Sequence, residues 1–266
     1  PMHEKCGVFG VYAPGLEDAE VARLVHTGLW TLQHRGQEST GISVSDGVTI
    51  RTHKGPGLVA HVYDEASLHP LVGHIGIGHN RYSTSGGDGR RHAQPVTSAA
   101  NQLALAHNGN LPSLAALSRA LLDAGVDIDG ANDSELMHAA LERELVRGAT
   151  LDDAVRTCFP LFTGAFSLAL LTPGALAAAR DVRGIRPLAL GRIGTGYVVS
   201  SETCAIDAVG GTFLRDVRPG ELVVIDEHGL RAVQLAPGRE QLDIFEFVYF
   251  ARPDSMLLGL RVNEVR

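Results

Sequence analysis

The chain changes character twice along its length, and that limits the folds open to it. Apolar runs of strand length stand at Cys6 to Tyr12, Gly41 to Val44, Val48 to His53, Ile75 to Gly78 and Leu103 to His107. Helical spacing takes over at Leu114 to Ala124, Ser134 to Val146 and Leu151 to Thr157. Strand runs then return at Phe166 to Leu171, Leu176 to Ala179, Tyr197 to Ser200, Glu221 to Ile225 and Leu230 to Leu235. One helix interrupts the first block, Glu17 to His34, where Val21, Leu24, Val25, Gly28, Leu29 and Leu32 recur at three- and four-residue steps. A doubly wound parallel sheet needs strand and helix to alternate, whereas blocks of each kind predict an α+β fold: two mainly antiparallel sheets with helices layered outside them.

Local signals place the boundaries. Gly36 is expected to stop the first helix, Asp133 to cap the helix over Ser134 to Val146, and Thr150 with Asp153 to open the next in a capping-box-like start. At 266 residues the chain can bury a sizeable core. Its net charge of −7 and lack of a dense basic run argue against a nucleic-acid surface. No apolar run reaches the ~18 residues of a membrane span. Three widely spaced cysteines, Cys6, Cys158 and Cys204, fit reduced thiols in a cytoplasmic protein. The twelve histidines show no metal-ligand spacing, so no metal site is expected.

Cys6 is the residue with the most chemistry to offer. Without Pro1 to Lys5 it would carry a thiol nucleophile and, as base, its own α-amine; an amine near ~7.7 and a thiol near ~8.5 suit that exchange at neutral pH. Lys5 acylates the amine in the chain as written, so Pro1 to Lys5 reads as a propeptide. In Ala106-His107-Asn108-Gly109-Asn110 a strand is expected to end in a polar turn that frees the Asn108 carboxamide and the Gly109 N–H as an oxyanion hole, against the plain hairpin turn that Asn-Gly also favours. Arg81 follows an apolar strand directly and could clamp a carboxylate with two hydrogen bonds. The glycine-rich Ser85 to Gly89 beyond it suggests a flexible lid. Asp133 could meet a substrate ammonium, although a helix cap explains it equally well. A cysteine–histidine protease built on His107 is disfavoured, because neighbours on a strand face opposite ways.

In this order, Cys6-Gly7-Val8-Phe9-Gly10, Leu32-Gln33-His34-Arg35-Gly36-Gln37, His79 to Thr84, His107-Asn108-Gly109-Asn110-Leu111 and Asp133-Ser134-Glu135 resemble the glutamine-hydrolysing amidotransferases with an N-terminal cysteine nucleophile. Within that class the resemblance is strongest to the amidophosphoribosyltransferase family, through Gln33 to Gln37, Gly184-Ile185-Arg186-Pro187-Leu188, Ser201-Glu202-Thr203 and Tyr249-Phe250-Ala251-Arg252-Pro253-Asp254-Ser255. Hexosamine-forming relatives typically carry tyrosine at the position of Gln37.

The resemblance implies a four-layer αββα sandwich of the N-terminal-nucleophile hydrolase type. It implies that Cys6 attacks the glutamine amide, Asn108 and Gly109 hold the oxyanion, Arg81 and Asp133 bind the α-carboxylate and α-ammonium of glutamine, and Arg35 and Gly36 line the pocket. It divides the chain into a leader over 1–5, a glutamine amidotransferase domain over 6–240 and, over 241–266, the start of a connection to a phosphoribosyltransferase domain. Leu222 to Glu227 resembles that domain's phosphoribosyl pyrophosphate strand but lacks the following Thr-Gly loop, so it reads as an ordinary strand and turn. Magnesium with phosphoribosyl pyrophosphate belongs to the other domain. An iron–sulfur cluster is not expected, because the run before Glu246 has no cysteine. Full-length members are expected to form homo-oligomers. Two alternatives remain open at this point: a different acceptor such as a sugar phosphate, and a masked, non-catalytic regulatory domain.

Overall fold

The computed structural model describes residues 5–16, 19–82 and 92–266. In chain order the first part runs β1 (Gly7–Tyr12), α1 (Glu20–Thr31), β2 (Ser39–Ser45), β3 (Ile50–Pro56), two short helices α2 (Val59–Val62) and α3 (Glu65–Leu68), and β4 (Ile75–Arg81). The middle part holds β5 (Ala104–Ser113), α4 (Ala115–Asp123), α5 (Asp133–Val146) and α6 (Leu151–Cys158). Then come β6 (Thr163–Leu171), β7 (Leu176–Arg180), β8 (Ala189–Ile193), β9 (Gly196–Ser200), α7 (Thr203–Ala208), β10 (Thr212–Asp216), β11 (Glu221–Asp226) and β12 (Gly229–Gln234). A small hairpin, β13 (Met256–Leu257) and β14 (Leu260–Arg261), precedes the closing turn α8 (Val262–Val265).

The strands make two antiparallel sheets, one of seven in the order β10-β8-β9-β1-β4-β2-β3 and one of five in the order β12-β11-β7-β6-β5. Period-two alternation sorts each strand's side chains between two environments. On β1, Phe9 and Val11 join α1 residues Val21, Val25 and Leu29 in an outer core. Val8 and Tyr12 instead meet Ala104 and Ala106 of β5 and Ala169 and Leu171 of β6 between the sheets. On the far side, Leu103, Leu105 and Leu168 pack under α4, α5 and α6. The molecule is therefore a helix–sheet–sheet–helix sandwich, as the block order of the sequence predicts.

Several local expectations are corrected. The first helix ends at Thr31 and passes through a 3-10 turn, Gln33–Arg35, and Gly36 follows in extended conformation (φ −171°), so it is not a left-handed helix stop. The cap of α5 is Asn132: its side chain accepts from the Glu135 N–H at 2.9 Å, and Glu135 returns an oxygen to the Asn132 N–H at 2.8 Å. Asp133 is the first helical residue and is not the cap. The strand ending at His107 continues to Ser113, with Asn108 opposite Ser167 and Gly109 opposite Phe166, so Asn108-Gly109 is not a turn. β8, β10, α7, the short α2 and α3, and the closing β13, β14 and α8 have no counterpart in the sequence reading. Leu222 to Glu227 does form a plain strand, β11, turning into β12. Ser85 to Gly89 lies outside the described residues.

Candidate active site

The inter-sheet layer changes chemistry at one end. Val8 pairs with His79 and Gly7 with Asn80, so β1 and β4 run side by side there. Continuing the alternation that turns Val8, Ile77 and Ala106 between the sheets, Cys6, His79, Arg81 and Asn108 face the same layer. One hydrogen bond fixes the approach of the two sheets: His79 Nε2 donates to the His107 carbonyl at 2.9 Å. Cys6 is buried, with its Sγ 3.8 Å from the carbonyl of Tyr82. The nucleophile candidate therefore stands beside the peptide that follows Arg81.

Asn108 is fully buried, and neither its Oδ1 nor its Nδ2 has a hydrogen-bond partner among the described residues. Buried carboxamides are nearly always satisfied, and one left bare costs about 1–3 kcal/mol. A side chain held in that state is a donor awaiting an acceptor. Gly109 follows with φ +148°, and a Cβ there would collide with the Ala165 carbonyl oxygen, so only glycine fits. β5 is the edge strand of its sheet. On the side away from β6, Leu105 exchanges both backbone hydrogen bonds with Val96, and the His107 N–H meets a side chain. The alternation brings the Gly109 N–H to the same open edge.

Arg81 closes β4 opposite Ser39, its guanidinium 3.9 Å from Glu38. That is longer than a hydrogen bond, so Glu38 leaves donor capacity for another anion. Gly36 lies against the Asn80–Arg81 peptide, where a Cβ would come within 2.6 Å of the Arg81 carbonyl carbon. Its lack of a side chain lets the 3-10 turn press onto the end of β4. Because Asn132 does the capping, Asp133 keeps its carboxylate at the end of β5, accepting from the Ser134 N–H at 2.8 Å and the Leu111 N–H at 3.2 Å while staying partly exposed.

Arg35 does not turn its guanidinium toward this space. It is fully buried between Glu202, paired with Nε, and Glu246, 2.7 Å from Nη2. Burial opposes its charge, but the two carboxylates outweigh that and raise its pKa. Glu202, likewise penalised by burial, is held well below the usual carboxylate range by Arg35, His34 and Ser255. Arg35 can thus border the pocket only through its backbone.

The sequence reading missed Glu202 and Glu246 as partners, although Ser201-Glu202-Thr203 stood out as a motif; Ser201 Oγ also accepts from the Val8 N–H at 2.9 Å. It also missed two buried histidines. Burial pushes His79 down to about 3, and burial likewise lowers His107, so both are neutral. Their signal was present: a histidine in an otherwise apolar strand run, as in Ile75 to His79.

Comparison with known proteins gives this geometry a setting. The family described as "Glutamine amidotransferase domain" matches residues 79–208. The amidophosphoribosyltransferase of Mycobacterium tuberculosis is 45% identical over 99% of this chain and 51% of its own length. That of Bacillus subtilis is 37% identical over 100% of this chain and 55% of its own. The solved structure of the B. subtilis glutamine phosphoribosylpyrophosphate amidotransferase, complexed with ADP and GMP, superposes with a TM-score of 0.87 at 36% identity over 97% of this chain and 55% of that one. A class-II glutamine amidotransferase domain protein from Silicibacter pomeroyi shares the fold at 17% identity and a TM-score of 0.53. The fold is that of the amidotransferase domains of the N-terminal-nucleophile class. The chain is thus similar to amidophosphoribosyltransferases, 45% identical to one and 37% to another, and it spans about half the length of the relatives it matches.

Proposed function

We propose that this domain hydrolyses glutamine to glutamate and ammonia, and that the ammonia serves the formation of 5-phosphoribosylamine from phosphoribosyl pyrophosphate in a cytoplasmic purine-synthesising enzyme. The observation that carries the reading is Asn108, a buried carboxamide without a partner among the described residues, on the layer that Cys6 and Arg81 also face. Cys6 Sγ attacks the amide carbon of glutamine, and the developing oxyanion takes hydrogen bonds from Asn108 Nδ2 and the Gly109 N–H. The Cys6 α-amine accepts the thiol proton and delivers it to the departing ammonia. Water then hydrolyses the γ-glutamyl thioester. Arg81 receives the α-carboxylate and Asp133 the α-ammonium, while the Arg35–Gly36 backbone borders the pocket.

Lys5 bears on the timing. Its Nζ lies 5.0 Å from the ring centroids of both Tyr82 and Phe250, a double cation–π contact that anchors Lys5 itself. With Lys5 attached the α-amine is an amide, so the leader must be removed before catalysis.

Acceptor chemistry would reside in a C-terminal phosphoribosyltransferase domain, a reading consistent with the chain spanning 51% of the M. tuberculosis relative. Leu242, Ile244, Tyr249 and Leu260, all exposed around the closing segment, offer that domain an apolar seat.

The test is ammonia release from glutamine by protein beginning at Cys6 and by protein beginning at Pro1, with intact mass recorded for both. Activity confined to the first is expected, and Cys6→Ala should abolish it. Full activity with Lys5 still attached would overturn the role of the amine.

A further inference from the structure

Gln94 is a buried residue that the mechanism above does not use. Its side chain joins two parts of the candidate site. Oε1 accepts from the His107 N–H at 2.7 Å, and Nε2 donates to Ser134 Oγ at 3.1 Å. The first bond matters because β5 is an edge strand: no neighbouring strand offers the His107 N–H a partner, and left bare it would be an unsatisfied buried donor. The second reaches the opening turn of α5, one residue from Asp133. Ser134 Oγ also lies 2.9 Å from His107 Nδ1, so the carboxamide, the imidazole and the hydroxyl close a ring between strand and helix. Across the sheets, His79 holds the carbonyl of the same residue 107.

The carboxamide is itself firmly seated. Lys54, on β3, donates from Nζ to the Ala93 carbonyl at 2.8 Å and the Pro95 carbonyl at 3.0 Å, gripping the backbone on either side of Gln94. A chain of hydrogen bonds thus runs from β3, through Gln94, to the strand bearing Asn108 and the helix bearing Asp133.

We infer that Gln94 is a positioning residue that sets the separation between the oxyanion donors and the group binding the α-ammonium of glutamine. The inference rests on the glutamine-hydrolysing reading. A merely structural role would lower stability and leave the kinetics of folded protein alone. A positioning role moves two parameters at once, because an oxyanion donor acts in the transition state and Asp133 acts on bound substrate.

Two variants of the Cys6-initiated protein separate these. Gln94→Leu removes both hydrogen bonds at similar size, and should lower kcat/KM for ammonia release by about a hundredfold, with kcat falling and KM for glutamine rising. Gln94→Glu retains the acceptor for the His107 N–H and loses the donor to Ser134, so it should recover most of kcat while KM stays raised. Hydrogen–deuterium exchange at the His107 amide gives a readout without catalysis: slow in the parent and in Gln94→Glu, fast in Gln94→Leu. If Gln94→Leu does not fold, the kinetic split and slow exchange of Gln94→Glu carry the test. Parent-like kcat and KM in both variants, or equal exchange in all three proteins, would overturn the inference. A parent that releases no ammonia would overturn the glutamine reading, and the exchange rates would still decide whether the clamp exists.

Discussion

Two polar clusters are buried side by side at the Cys6 end of the sandwich, and they differ in one respect. Around Glu202 the groups are partnered: the carboxylate accepts from Arg35, from His34 at 2.7 Å, from Ser255 Oγ at 2.7 Å and from the Arg252 N–H at 2.8 Å. Around Asn108 they are not, for both carboxamide atoms, His107 Nε2 and His79 Nδ1 lack partners among the described residues. The first pattern holds the 3-10 turn after α1 to the segment that closes the chain. The second is a cost to the fold that a bound polar ligand would relieve. Satisfaction sets the groups around Glu202 apart from those around Asn108.

The contrast can be broken by substitution. The largest effect on folding is expected for Glu202→Ala, which leaves the buried Arg35 with Glu246 as its remaining carboxylate and takes the acceptor from His34, Ser255 and the Arg252 N–H, and should lose about 3–5 kcal/mol in denaturant unfolding. Asn108→Leu should behave in the opposite way: ammonia release falls by about 10²–10³, while unfolding free energy stays level or rises because a bare carboxamide has gone. A loss of stability there comparable to that of Glu202→Ala would erase the distinction.

The pH dependence sharpens it. His79 is buried neutral with its pKa near 3 against 6.5 when unfolded. The unfolded chain therefore binds the extra proton first, and stability declines as pH falls below about 6.5. That one group should account for about 2 kcal/mol between pH 7 and pH 5. His79→Gln, which keeps a donor for the His107 carbonyl, should flatten the profile in chemical denaturation over that range. The smallest effect concerns α5: Asn132→Ala should cost about 1 kcal/mol and Asp133→Asn only a few tenths, since Asn132 and not Asp133 caps the helix. Equal losses would return the cap to Asp133.

The sequence made the sandwich legible because block order and alternation are carried by every residue of a strand. Cys6 stood out by its place near the amino terminus, Arg81, Asn108 and Gly109 by ending apolar strand runs, and Asp133 through the resemblance. What stayed hidden depended on pairing. Asn108-Gly109 has the local signature of a turn, and only the ladder with Ser167 and Phe166 keeps it extended. Asn132 and Asp133 are both good caps by type, and the reciprocal bond with Glu135 chooses between them. β10 was missed because its residues are half exposed at the rim of the larger sheet and its register slips between Phe213 and Arg215. Gln94 sits in a segment without regular structure, so no periodicity announced it.

That β5 forms the margin of its sheet has a further consequence. An inner strand gives every amide to its neighbours, and none is left to meet a guest molecule. A marginal strand keeps alternate amides unspoken for, which makes it exposed to unwanted pairing with other chains. Here the same vulnerability becomes useful, because the segment around Val96 and the side chain of Gln94 cover the margin as far as residue 107 and, among the described residues, leave it open at the next outward-facing position, Gly109. The opening is one amide wide: enough for an oxygen atom, and too narrow for another strand.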